Sequence, residues 1–373
     1  MTRPDRSKTS LTSGPLTRGL VTGVHRRGFL TAIGGGFAAV TLAACTNDAN
    51  DPVAADPDPS DPGDTESAPA AFPVTVSHRF GETTIESAPQ RVLALGQTDC
   101  DPLVALGVTP IAIGSFLDDW YDPIFPWNET GLGQDMKQVR FYDLEFEKIA
   151  ALAPDLITMV SGGISKKDYE TLTEIAPVVG PPEGYQDSAV PYGPHTLLIG
   201  RAVGKEAEAQ AAVDALDAQF AQIREEHPEW EGLTAVHAES YTGAFYVLGE
   251  NAPRTTFLTS VGFAAAPELS EITGDEYSKE ISAEELDLVG GLDLVVWTTD
   301  EGAIPDLQAD PVVSRLASVK NGNVVWTTYT KDASFFWAMD WATVLSGPHA
   351  IETGLPLIEA ALAGESPVAE DGA

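Results

Sequence analysis

Arg91-Val92-Leu93-Ala94-Leu95-Gly96 is a short apolar run closed by glycine. Continuous apolar segments of this length, bounded by Gly or Pro, suit strands covered on both faces, as in a parallel sheet. The pattern returns at Pro110-Ile111-Ala112-Ile113-Gly114 and at Asp155-Leu156-Ile157-Thr158-Met159-Val160. Helices are predicted between these runs, one through Pro102 to Gly107 and one around Phe146 to Leu152. Alternating strands and helices predict an α/β lobe with a mainly parallel sheet.

Outward from this lobe the style repeats. Leu233 to Ala238, Ala244 to Leu248, Leu292 to Trp297 and Asn323 to Thr328 read as strands, and Thr256 to Val261 and Ser282 to Leu288 as helices. Between the halves, Lys205 to Glu226 carries Val213, Leu216, Phe220 and Ile223 at spacings of three and four, a helical stripe that Pro228 ends. The predicted fold class is α/β: two Rossmann-like lobes with mainly parallel sheets, joined by a single long helix. An internal echo supports the repeat. Phe146-Glu147-Lys148-Ile149 leads to Pro154-Asp155-Leu156-Ile157, as Ala283-Glu284-Glu285-Leu286 leads to Leu292-Asp293-Leu294-Val295. Ser282 and Glu285 also have capping-box spacing.

The start of the chain is an address. Arg26-Arg27-Gly28-Phe29-Leu30 resembles a twin-arginine export signal, and Leu42-Ala43-Ala44-Cys45 a lipobox with Cys45 as the acylated residue. The apolar run between them is shorter than the roughly 20 residues that cross a bilayer, and Gly34-Gly35-Gly36 interrupts it. From Thr46 to Ala71 the composition is Asp, Pro, Ala and Ser, an extended tether with little to bury. The expected division is a signal peptide over 1–44, a tether over 45–71, an amino-terminal lobe over 72–195, an interlobe helical segment over 196–228 and a carboxyl-terminal lobe over 229–373. The expected location is the extracytoplasmic face of the cell membrane, held by the lipid anchor only.

Composition narrows function. With 56 Asp and Glu against 21 Lys and Arg, the formal charge is -35, which repels phosphate backbones and argues against nucleic-acid binding. With Cys45 acylated, Cys100 has no disulfide partner and reads as a small core residue near a helix start. The histidines are scattered, with no H-E-x-x-H, G-x-S-x-G or Gly-rich phosphate loop, so no enzyme and no cofactor is expected, nor an envelope hydrolase or adhesin. His195, His237 and Glu239 form the best candidate set for direct zinc or manganese capture.

The ordered motifs Phe80-Gly81-Glu82-Thr83-Thr84-Ile85, Ala88-Pro89-Gln90-Arg91-Val92, Ala105-Leu106-Gly107-Val108-Thr109-Pro110 and Leu144 to Ile157 resemble the iron-siderophore substrate-binding lipoproteins of ABC importers. Leu172 to Val178, Ile199-Gly200 with Val203-Gly204-Lys205-Glu206, and Leu316 to Val324 continue the match over the body from Phe72 onward. The resemblance implies a periplasmic-binding-protein-like fold of the helical-backbone type, monomeric, holding a ferric siderophore between its lobes for an ABC transporter permease. Haem or cobalamin on the same scaffold is the alternative.

A bulky ferric chelate calls for aromatic walls and a few hydrogen-bonding or cationic groups. Loops after the predicted strands supply Gln97, Thr98, Phe116, Trp120 and Ser161 in the first lobe, and Tyr241, Trp297 and Tyr329 in the second, with Trp337 in a Phe-Phe-Trp loop beyond. Arginine is scarce, which singles out Arg254, and Arg140, where the resemblance implies a ligand-contacting arginine. The resemblance implies one acidic residue per lobe that docks on permease arginines, at Glu147 and Glu284, with Glu285 the alternative in the second lobe because Gly290-Gly291 reads as one extra residue relative to the family.

Overall fold

The computed structural model describes residues 72–115, 123–133, 135–330 and 334–369. The export signal, Cys45 and the tether, together with Phe116 and Trp120, lie outside the described residues. An antiparallel hairpin, β1 (Val74–His78) and β2 (Gly81–Ile85), opens the fold. The first sheet holds β3 (Val92–Ala94), β4 (Ala112–Ser115), β5 (Gln138–Arg140), β6 (Leu156–Thr158) and β7 (Val178–Val179) in the order β5-β4-β3-β6-β7, every pair parallel. Helices α1 (Cys100–Ala105), α2 (Glu129–Leu132), α3 (Phe146–Ala151) and α4 (Lys166–Thr173) fill its connections. Leu93, Leu95, Ile113, Leu156 and Ile157 are fully buried, because helices cover both faces of the sheet.

Two helices lead out of this lobe, α5 (Tyr192–Ala202) and the 21-residue α6 (Glu206–Glu226), which is about 30 Å long. The boundary expected after residue 195 falls inside α5, whose His195 is bonded to Asp99 of the first lobe. All four residues of the predicted α6 stripe are buried. Ala209, near its start, belongs to a core with Val92 and Leu103, whereas Leu216, Phe220 and Ile223 belong to the core around Leu294 and Phe335. One helix therefore enters both cores, and bending it would expose apolar surface at both ends.

The second sheet holds β8 (Ala235–Tyr241), β9 (Ala244–Leu248), β10 (Ser278–Ile281), β11 (Leu294–Thr299) and β12 (Val324–Thr328) in the order β10-β9-β8-β11-β12. Helices α7 (Pro253–Ser260), α8 (Pro267–Thr273), α9 (Leu286–Gly290), α10 (Ile304–Ala309) and α11 (Ala317–Asn321) connect them, and α12 (Ser334–Trp341) and α13 (Ser346–Leu362) close the chain. The strand order matches the first sheet, but the directions do not. β8, β11 and β12 are parallel, while β9 pairs antiparallel with β8 and with β10. This corrects the expectation of a mainly parallel second sheet. Only Thr242 and Gly243, both with positive φ, separate the paired residues Tyr241 and Ala244. Two residues close a hairpin, and a parallel crossover needs a dozen or more.

The internal echo is structural. Asp155 accepts from the backbone N–H groups of Gln90 and Arg91 at 2.8 Å each, fastening the start of β6 to that of β3. Asp293 accepts from Thr234 N at 2.8 Å, fastening the start of β11 to that of β8. Ile149 and Leu286, equivalent in the two motifs, are both fully buried.

Candidate binding cleft

In both sheets the chain runs outward to one side and then returns to the other, placing a switch point between β3 and β6 in the first lobe and between β8 and β11 in the second. Loops diverge there, and open α/β sheets bind ligands in the crevice so formed. Gln97 and Thr98 after β3 and Ser161 after β6 line a cleft of about 600 Å³. Asp99 holds these loops together. Its fully buried carboxylate accepts from Val160 N, Ser161 N and His195 Nε2, each at 2.9 Å, while Gln97 N donates to Ser161 O at 2.7 Å. Gly96 makes room for this strut, since a Cβ there would lie 2.4 Å from an Asp99 oxygen.

The second lobe adds Pro253, Tyr277, Asp340 and Trp341 to the lining, and Arg79, Tyr142, Tyr185 to Ser188 and Val190 complete it. The Phe-Phe-Trp segment expected as a loop is helix α12. Its Trp341 packs edge-on against Phe125, with centroids 4.9 Å apart, and Trp337 lies beside it in the same aromatic cluster. The two tryptophans are one helical turn apart; that spacing in the sequence is the signal for Trp341.

Behind Asp340 lies a buried charge network centred on Arg254, in the first turn of α7 and 5% exposed. Arg254 Nη1 is 2.5 Å from Glu239 Oε1, and its Nε is 3.0 Å from Asp340 Oδ1. The guanidinium also lies 4.8 Å from the Phe336 ring centroid. Burial works against its charge, but Glu239 and Asp340 outweigh this and push its pKa up. Burial raises Asp340, against the pull of Arg254. Tyr277 donates to Asp340 at 3.2 Å, and burial with the Asp340 charge raises its phenol.

His237 completes the network. Its Nε2 lies 3.2 Å from Arg254 Nη1 and 2.6 Å from Thr298 Oγ1. Burial, then Arg254, holds His237 far below its ordinary pKa, and it is neutral.

The candidate residues therefore divide. Gln97, Thr98 and Ser161 line the cleft. Tyr241 is 53% exposed at the end of β8, edge-on to Tyr329, which burial and Glu239 hold protonated. Arg140 is exposed at the end of edge strand β5 and is not among the residues lining the cleft. Trp337 is buried, donating from Nε1 to Thr330 O at 2.7 Å. Arg254 acts behind the wall rather than on it, which corrects its reading as a direct cationic contact. Trp297 is corrected too. It is fully buried, stacked on Trp326 at 5.7 Å, because strand alternation points it into the core beneath the sheet. His195 and His237 are engaged with Asp99 and Arg254, and the described residues contain no group of three or more His, Cys, Asp or Glu able to hold a metal ion. The set His195, His237 and Glu239 is thus not brought together. Glu147 and Glu284 are both exposed. Sequence reading missed Arg79, Tyr142, Tyr277 and Asp340, which reach the cleft from the β1–β2 turn, the loop after β5, the approach to β10 and the end of α12.

Residues 94–329 match the periplasmic binding protein family model, and the chain belongs to this family of solute-binding proteins. Among curated relatives, the ferric-anguibactin-binding protein FatB of Vibrio anguillarum is 26% identical over 282 residues, covering 69% of this chain and 80% of FatB. A periplasmic solute binding protein of Mycobacterium smegmatis has a crystal structure that is 31% identical with a TM-score of 0.68, covering 78% of this chain and 98% of that one. PiaA of Streptococcus pneumoniae, an iron uptake ABC transporter substrate-binding protein, has a crystal structure in complex with ferrichrome. In that complex it is 27% identical with a TM-score of 0.66, covering 78% of this chain and 99% of PiaA.

Proposed function

We propose that this protein is the lipid-anchored, extracytoplasmic binding component of an ABC importer and captures a ferric siderophore in the cleft between its lobes. The observation that carries the proposal is the cleft itself. The strand-order switch point of the first lobe, through Gln97, Thr98 and Ser161, faces a space of about 600 Å³ whose walls combine Trp341, Tyr277, Tyr142 and Tyr185 with neutral hydrogen-bonding side chains. That volume and that mixture of aromatic faces and polar groups suit a chelate-sized ligand. FatB and PiaA, similar over most of the chain, supply the ligand class.

Glu147 and Glu284 are the docking groups for the permease. They precede the equivalent buried residues Ile149 and Leu286 by the same two positions, so the lobes present them in matching surroundings. Cys45 is the lipidated residue, reached through the twin-arginine route, and the acidic tether gives the body its range above the membrane.

The test is intrinsic-tryptophan quenching of the full chain, purified in detergent, against ferric siderophores, their iron-free forms, haem, cobalamin and bare Fe3+ and Zn2+. Saturable quenching by a ferric siderophore is the expected result. Saturation by haem or cobalamin alone, or by a bare metal alone, overturns the proposal.

A further inference from the structure

Among the described residues, the charges on the cleft wall are already closed into pairs. Arg79 is bound to the Asp187 carboxylate and donates from Nη2 to Tyr185 O at 2.6 Å. Asp340 is held by Arg254 and Tyr277, and Arg254 is in turn neutralised by Glu239. Among the described lining residues the formally charged groups are Arg79, Asp187 and Asp340, one cation against two carboxylates. The remaining polar lining is uncharged: Gln97, Thr98, Ser161, Gln186 and Ser188. Around this wall the whole chain carries a formal charge of -35, so the far field also opposes an approaching anion.

Ferric siderophores differ sharply in charge. Three hydroxamate groups, each a monoanion, neutralise Fe3+, and a pendant ammonium makes the complex a monocation. Three catecholate groups, each a dianion, leave a trianion. A trianion entering this cleft finds Arg79, the cation among the described lining residues, already occupied by Asp187 and must desolvate against a second carboxylate at Asp340, whereas an uncharged chelate needs only the hydrogen bonds and ring faces the wall offers. Building on the proposed function, we infer that the cleft selects uncharged or singly cationic tris-hydroxamate ferric chelates over trianionic tris-catecholate ones. The selection is made by the Arg79–Asp187 pair, which keeps the arginine from serving as an anion receptor.

The experiment titrates the full chain in detergent with ferrichrome, with ferrioxamine B as the monocation, and with a ferric tris-catecholate, at low and high salt, reading tryptophan quenching. The two hydroxamates bind at least about tenfold tighter than the tris-catecholate, with a gap that narrows as salt screens the field. Asp187→Asn releases Arg79 and narrows the gap by about threefold or more, through tighter catecholate binding. Circular dichroism melting verifies that the variant is folded. A tris-catecholate that binds the wild type as tightly as ferrichrome overturns this inference and leaves the proposed function standing, as does an unchanged gap in folded Asp187→Asn. Failure of every ferric chelate to bind, with saturation by haem or cobalamin, overturns both.

Discussion

Thr343 Oγ1 donates to Asp101 Oδ2 at 2.6 Å, a buried bond between residues 242 positions apart that fastens the first turn of α1 to the approach to α13. Trp127 Nε1 and Asn128 Nδ2 donate to the same carboxylate at 3.0 and 2.8 Å. Burial nevertheless raises the Asp101 pKa above its ordinary value, with these donors opposing the rise. With α6 entering both cores, this bond is a second tie between the lobes, so ligand closes the cleft by only a small rotation. Scattering curves with and without ligand nearly superimpose; a large fall in radius of gyration on binding refutes the rigid connection. Thr343→Val removes one donor to a buried carboxylate and costs about 1–3 kcal/mol in urea unfolding, while Thr343→Ser keeps the bond and most of the stability.

Arg254 is central to the fold of the second lobe before it concerns any ligand. Removing it leaves Glu239 and Asp340 as uncompensated carboxylates, each side chain only 14% exposed. Arg254→Met therefore destabilises the protein by about 3–5 kcal/mol, the range for breaking one side of a buried pair. Adding Glu239→Gln restores part of the loss. Full stability with lost ligand affinity in Arg254→Met would return the arginine to the cleft wall.

His237 makes stability depend on pH with a definite sign. Its folded pKa lies well below the ordinary 6.5, so as pH falls below 6.5 the unfolded chain takes up a proton that the folded protein refuses. Stability contributed by His237 is present above pH 6.5 and lost on acidification, at up to about 1.4 kcal/mol per pH unit. Burial lowers His78 and His349 as well, adding to the slope. Asp101 and Asp340, both raised from 3.8, act in the opposite sense, gaining as pH falls. Denaturation midpoints between pH 7 and 5.5 fall less steeply for His237→Gln than for the wild type, because glutamine accepts from Arg254 without titrating. Parallel slopes for the two proteins refute the assignment.

Much of this architecture is legible in the sequence wherever a periodic signal exists. The runs at Val92, Ile111 and Leu156 became β3, β4 and β6, and the α6 stripe is buried residue for residue. Cys100 begins α1 and is buried, as its setting implied. The capping box forms as well: Ser282 N donates to Glu285 at 2.7 Å and Glu285 N to Ser282 Oγ at 3.2 Å. Strand direction in the second sheet was legible too, had the five-residue gap between Ala238 and Ala244 been weighed against the length a parallel crossover needs. The cleft was less legible, because its walls come from turns and helix ends. Arg79 sits in a hairpin turn, and Asp340 and Trp341 at the end of α12, where one more helical turn separates a ligand wall from a core. Arg254 and Trp297 misled for the same reason: residue type and scarcity name a chemistry, but the direction of a side chain decides whether it meets ligand or carboxylate.

The proposed capture and delivery roles use different parts of the fold. Glu147 and Glu284 are exposed and set two positions before the equivalent buried residues Ile149 and Leu286, away from the lining of the cleft. Each carboxylate has a purely local use, complementing the start of its helix, but that use is worth little at an exposed site. Two like charges in matching positions on two similar lobes instead suit a partner with paired cationic groups. Glu147→Ala with Glu284→Ala accordingly keeps near-native folding and chelate affinity while uptake in cells lacking other binding proteins falls to background. Ser282→Ala, which breaks the capping box beside Glu284, costs about 1 kcal/mol of stability and leaves uptake intact. Full uptake by the double variant would make the echo of the two motifs a property of the fold alone.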